Sequence, residues 1–130
     1  MTQTLLIIDD NPDDIEIAKV SLARIDREIT VEAALCGEAA LELLQSGKAL
    51  PALILLDLKM PGMSGFDFLR KIRADQRLQH LPVIIVTSSA LEADEKKGQE
   101  AGADGFLHKA FEMDQFERNL KSVLNRWLNK

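Results

Sequence analysis

The 130-residue chain has one cysteine, Cys36, so no disulfide framework holds it together and a reducing compartment is expected. It has no apolar run approaching the roughly 20 residues needed to cross a bilayer. Its first ten residues, MTQTLLIIDD, lack the basic start of a secretory signal and run instead into acids. It also lacks a basic excess. Lysine and arginine number 16 against 21 aspartates and glutamates, a net charge of −5, which is the wrong sign for nonspecific attachment to nucleic acid. Repeats, low-complexity tracts and linkers are absent too. These absences predict a single domain over residues 1–130, placed in the cytoplasm, with neither a membrane nor a nucleic acid as partner. The chain is 46% hydrophobic, enough for a folded core rather than a disordered chain.

Short β-rich runs alternate with helical patterns. Leu5–Ile8, Ile29–Ala34, Leu53–Leu56, Val83–Val86 and Gly105–Leu107 read as five strands. Between them lie helical spacings. Ile15, Ala18, Leu22 and Ile25 follow a start marked by Pro12, Asp13 and Asp14, where proline is tolerated and acids suit the positive helix end. Ala39, Ala40, Leu43 and Leu44 form a second helix that Gly47 ends. Phe66, Leu69, Ile72 and Arg73 belong to a third. Residues 91–101 form a weaker fourth, crowded with charge and interrupted by Gly98, whose run Glu92 to Lys97 reads as a solvated face. Phe116, Leu120, Val123, Leu124 and Trp127 make one apolar stripe on a fifth, which reads as core packing. Strict alternation of five strands and five helices predicts an α/β fold with a parallel sheet covered on both faces. With right-handed crossovers the expected order is 2-1-3-4-5, a flavodoxin-like doubly wound sheet. Its site should lie at the carboxyl ends of the strands beside the point where strand order reverses.

Those ends carry the chemistry. Strand one ends in Asp9-Asp10, strand three in Asp57, strand four in Thr87-Ser88-Ser89 and strand five in His108-Lys109. An acid in a loop is ordinarily just a solvated residue, but three acids, a hydroxyl and an amine reaching one edge from four strands are harder to dismiss. Carboxylates a few ångströms apart repel unless something offsets the repulsion. A divalent cation does so. Oxygen ligands without cysteine or paired histidines favour Mg²⁺ over zinc. A carboxylate beside Mg²⁺ and the ammonium of Lys109 is equipped to attack phosphorus, since phosphoryl transfer needs chiefly positioning and charge neutralisation. The Thr87 hydroxyl is placed to donate to a phosphoryl oxygen.

The segments LIIDDN, LILLDLKMPGMSG, VIIVTSS and GADGFLHK resemble the signature segments of response-regulator receiver domains, and the resemblance covers essentially the whole chain. It implies a phosphoacceptor switch of two-component signalling rather than an enzyme with an external substrate. Asp57 would take a phosphoryl group from a histidine kinase or phosphotransfer protein. Asp9, Asp10, Asp57 and the backbone carbonyl of Lys59 would hold Mg²⁺, Thr87 and Lys109 would contact the phosphoryl group, and Phe106 would be the aromatic switch. The downstream partner would read the face formed by helix four, strand five and helix five. Pro61, Gly62 and Gly65 would shape the loop over the site, a role that plain turn chemistry also fits. No output domain is expected, so the signal should leave through a bound partner or an oligomer such as a homodimer.

One position departs from the family pattern. The lysine is usually followed by a proline in a cis peptide, whereas here the pair is Lys109-Ala110. A cis bond to a residue other than proline costs about 2.5–4 kcal/mol, so a trans bond or a reshaped loop is expected. Stand-alone receivers paired with phytochrome-type kinases also tend to lack that proline and to carry DNP-x-D after strand one, as residues 10–14 do. Ala110 is also the one mark in favour of a second reading, a pseudo-receiver that binds proteins without a phosphorylation cycle. Other chemistries fit less well. A calcium loop beginning at Asp9 lacks its central glycine and has Val20 where its glutamate belongs. A phosphatase with a nucleophilic aspartate needs an acid at position 59, which is lysine. A nucleotide site would be repelled by the acids after strand one. His80 and His108 have no metal-ligand partner at helical spacing, and Cys36 reads as a small buried or half-buried residue.

Overall fold

Four-residue apolar runs with no polar break can only be satisfied in a sheet covered on both faces. In the computed structural model, Leu5–Ile8, Leu53–Leu56 and Val83–Val86 are all buried. The structure describes residues 3–47, 49–58, 60, 62–87, 92–109 and 113–128. The strands are β1 (Gln3–Ile8), β2 (Ile29–Ala34), β3 (Leu53–Asp57), β4 (Val83–Thr87) and β5 (Gly105–His108). The helices are α1 (Pro12–Ile25), α2 (Gly37–Gln45), α3 (Gly65–Ala74), α4 (Glu92–Ala101) and α5 (Met113–Trp127). The sheet order is β2-β1-β3-β4-β5 and every pairing is parallel, as the alternation predicts.

Successive side chains on a strand point to opposite faces, which splits the core in two. Leu6, Ile8, Ile54, Leu56 and Ile85 pack with Leu44, Phe66, Leu69 and Ile72. Leu5, Ile7, Leu53, Leu55 and Val86 pack on the other face with Ile15, Leu22, Phe116, Leu120 and Leu124. The α5 stripe is therefore core, with Val123 and Trp127 at its partly buried margin.

Local signals fix where helices begin and end. The Asn11 side chain accepts from the Asp13 amide at 2.9 Å, Pro12 opens α1, and Ser64 Oγ accepts from the Asp67 amide at 3.1 Å to start α3. Cys36 caps α2, its sulfur 3.4 Å from the Ala39 amide, and the cysteine is half-buried as expected. Just beyond α2, Gly47 takes φ 87°, a conformation few other residues adopt.

Helix α4 departs from expectation. It runs through Gly98 without a break. A Cβ on Gly98 would lie 2.7 Å from Ile85 Cδ1 and 2.8 Å from Phe106 Cζ, so this glycine lets the helix sit close on the sheet. Packing at the contact outweighs the weak helix propensity of glycine. Among the described residues, no helix is long and apolar enough to cross a membrane.

Candidate acidic site at the carboxyl edge of the sheet

The β1–β3 register pairs Ile8 with Leu56, so the next residues of the two strands, Asp9 and Asp57, emerge side by side. Asp9 is buried, with 5% of its surface exposed. One of its carboxylate oxygens accepts from the Asn11 amide at 3.0 Å, and its own amide donates to the Ala34 carbonyl at 3.1 Å. Asp57 closes β3 with its side chain 12% exposed. Asp10 is the exposed member. One carboxylate oxygen from each of the three lies within 4.8 Å of the others.

Gly65 lets α3 begin directly against this strand end. Its amide donates to the Leu58 carbonyl at 3.1 Å, and a Cβ there would fall 2.5 Å from the Asp57 carbonyl oxygen and 2.9 Å from Leu58 Cα. Gly62 in the same loop takes φ 78°.

The cationic side of the site comes from β5. The Lys109 amide donates to the carbonyl of Thr87, the buried last residue of β4, at 2.9 Å. Its ammonium donates to Asp14 Oδ2 at 3.0 Å and Asp9 Oδ2 at 3.2 Å, and stands 4.0 Å from Asp57 Oδ1. Burial alone would lower the lysine pKa. The hydrogen bond to Asp14 and the charges of Asp57, Asp9 and Asp14 outweigh it, so the pKa is raised above its ordinary value and the group is cationic at neutral pH. Beneath these groups a cleft of about 320 Å³ opens between α1 and the sheet, walled by Ile7, Leu55, Val86 and Phe116.

Asp9, Asp10, Asp57, Thr87 and Lys109 thus meet at one edge. Phe106 lies elsewhere: it pairs with Ile85 in the sheet, and its ring is under α4 at Gly98. Lys59, Ser88 and Ala110 lie outside the described residues, and with them the expected carbonyl ligand and the Lys109–Ala110 bond. Asp14 is the residue the sequence reading missed. It reads as a helix-start charge, yet among the described residues it stands nearest the Lys109 ammonium, at 3.0 Å. Its position three residues past Asn11 returns it to the cleft side of the first helical turn, a clue usable only once the strand order is known. His108, isolated in sequence, meets Glu95 of α4 at 3.1 Å.

Chemically, Asp9, Asp14 and Asp57 surround one ammonium, and Asp10 joins Asp9 and Asp57 in the carboxylate cluster. The residual negative charge and the all-oxygen donors suit a hard divalent cation with several open positions, which fits Mg²⁺.

The comparisons point the same way. A family model described as the response regulator receiver domain matches residues 5–121. The chemotaxis protein CheY of Pseudomonas aeruginosa is 35% identical over 122 residues, covering 94% of this chain and 96% of that protein. The response regulator Rre1 of Synechocystis is also 35% identical, over 95% of this chain but 52% of its own length, so the chain spans about half of that relative. Among solved structures, that of the phosphorylated cyanobacterial phytochrome response regulator RcpA superposes with a TM-score of 0.91 at 25% identity, covering 98% of this chain and 95% of that one.

Proposed function

The chain belongs to the response regulator receiver domain family, and from that premise we propose that Asp57 is its phosphoacceptor. Two-component signalling is the setting of the family, and the chain acts there as a regulator rather than as a catalyst of an external reaction. The observation that carries the assignment to Asp57 is the convergence of three strand-end carboxylates within 4.8 Å, with Lys109 beside them. Of the three, Asp57 alone closes a central strand, buried enough to be held still and open enough to be reached.

Asp9, Asp10 and Asp57 would hold Mg²⁺, with the Lys59 carbonyl as a further ligand. The bound ion supplies charge neutralisation and sites for phosphoryl oxygens. The chain's own residues do the rest. One Asp57 carboxylate oxygen attacks phosphorus, forming the P–O bond of an acyl phosphate while the donor's bond to phosphorus breaks. Lys109 moves from its acidic partners toward the new anionic oxygens, and the Thr87 hydroxyl donates to one of them. Water reverses the modification slowly. As Thr87 is drawn in, Phe106 follows, and the face of α4, β5 and α5 changes shape for a downstream partner. The donor is a histidine kinase or phosphotransfer protein. Likeness to a phytochrome response regulator and the DNP-x-D segment favour a phytochrome-type kinase.

Incubation with acetyl phosphate followed by intact-mass measurement tests the assignment. One phosphoryl addition is expected, dependent on Mg²⁺ and absent in Asp57→Asn. No addition to a folded wild-type chain would favour the pseudo-receiver instead.

A further inference from the structure

Asp13 and Asp14 share the first turn of α1, but the structure treats them differently. Asp13 is exposed, with its amide tied to the Asn11 cap. Asp14 is turned into the cleft, its side chain 34% exposed and its carboxylate 3.0 Å from the Lys109 ammonium. That contact is shorter than those to Asp9 (3.2 Å) and Asp57 (4.0 Å). Asp14 also stands apart from the three carboxylates that cluster as candidate metal ligands. Once Asp9 and Asp57 are shared with a cation, Asp14 is the carboxylate left to the lysine. Two charges at such a separation hold each other only modestly in a site open to water, so the pair is strong enough to set a position and weak enough to exchange.

We infer that Asp14 is a positioning residue that holds the Lys109 ammonium toward α1 in the unphosphorylated state and competes with the phosphoryl group for it. The inference rests on Asp57 being the phosphoacceptor. Lys109 starts 4.0 Å from Asp57 Oδ1, so pairing with phosphoryl oxygens there draws it away from α1. Asp14 resists that movement by its own attraction and so favours the resting arrangement. The geometry is pre-set by the helix start: Asn11 caps, Pro12 fixes the first helical residue, and Asp14 falls on the inner side of the turn.

The test uses beryllium fluoride, a tetrahedral mimic of the phosphoryl group, titrated in the presence of saturating Mg²⁺ and followed by amide NMR. Asp14→Asn keeps the shape and removes the charge. It is expected to tighten half-saturation about two- to five-fold, the range that a partly exposed ion pair spans. Asp14→Glu should restore wild-type behaviour in part. Because Asp14 also supplies favourable charge at a helix start, the same substitution is made in a Lys109→Ala background. There it should change nothing, since the competition has no object. Equal tightening in both backgrounds, or none in the wild-type background, would overturn the role of Asp14 while leaving the phosphoacceptor assignment intact. A wild-type chain that binds Mg²⁺ but never beryllium fluoride would overturn both.

Discussion

Gly65 sets how closely α3 approaches the end of β3. Its missing Cβ would fall on main-chain atoms of Asp57 and Leu58, which have no flexible end to swing aside. Gly65→Ala is therefore expected to shift the strand end and to lower stability by about 1–3 kcal/mol, the usual cost of overpacking. Urea unfolding checks this: the midpoint should fall with an unchanged slope. Asp57 was legible from sequence because a run of four buried apolar residues has no local reason to stop on a charge. Asp14 was not, because an acid three residues into a helix is already accounted for by the helix dipole. Nothing in its neighbours separates that role from a contact with a lysine 95 residues away. Lys109 sits between these cases: its place at a strand end is legible, its partner is not.

Among the elements, the strands were the most legible, because continuous burial leaves an unbroken apolar signature. Even so, β3, β4 and β5 each run one residue further than the apolar run suggests, to Asp57, Thr87 and His108, since ladder hydrogen bonding does not stop where hydrophobicity does. Helix α4 was the least legible. Among its residues with described side chains, only Gly98 and Ala101 are buried, so its seat on the sheet is a contact of small residues that carries no hydrophobic pattern. The neighbouring elements are tied more firmly. Arg73 of α3 donates to the carbonyls of Gly102 (2.9 Å), Gln79 (2.9 Å) and Leu81 (2.8 Å) and to Asp104 Oδ2 (2.9 Å). That Asp104 oxygen also accepts from the Val83 amide at 2.8 Å, so one guanidinium gathers α3, the start of β4 and the turn before β5. From sequence, Arg73 is only a residue on the third helix. Arg73→Ala strands several acceptors at once and is expected to cost about 2 kcal/mol in equilibrium unfolding, water replacing part of what is lost. A loss near zero would mean that the turn is held by its backbone alone.

At the scale of the molecule, the sheet supplies a rigid edge and α4 an element that meets the sheet through Gly98 and Ala101. Moving such a switch from mostly off to mostly on takes roughly 5 kcal/mol of differential interaction. A few charge-assisted contacts to a phosphoryl group, each worth about 1.5–3 kcal/mol, are of that order. The His108–Glu95 contact and the Phe106 ring against Gly98 place the end of β5 in direct touch with α4. A displacement of Lys109 and Thr87 therefore has a short path to that helix. All of this depends on the three carboxylates sharing one cation. The most direct measurement is a calorimetric titration of Mg²⁺ into the wild-type chain and into Asp9→Asn and Asp57→Asn. One site per wild-type chain is expected, with most of the binding lost in each folded variant. A folded wild-type chain that takes up no Mg²⁺, or binding undiminished in both variants, would contradict the shared cation.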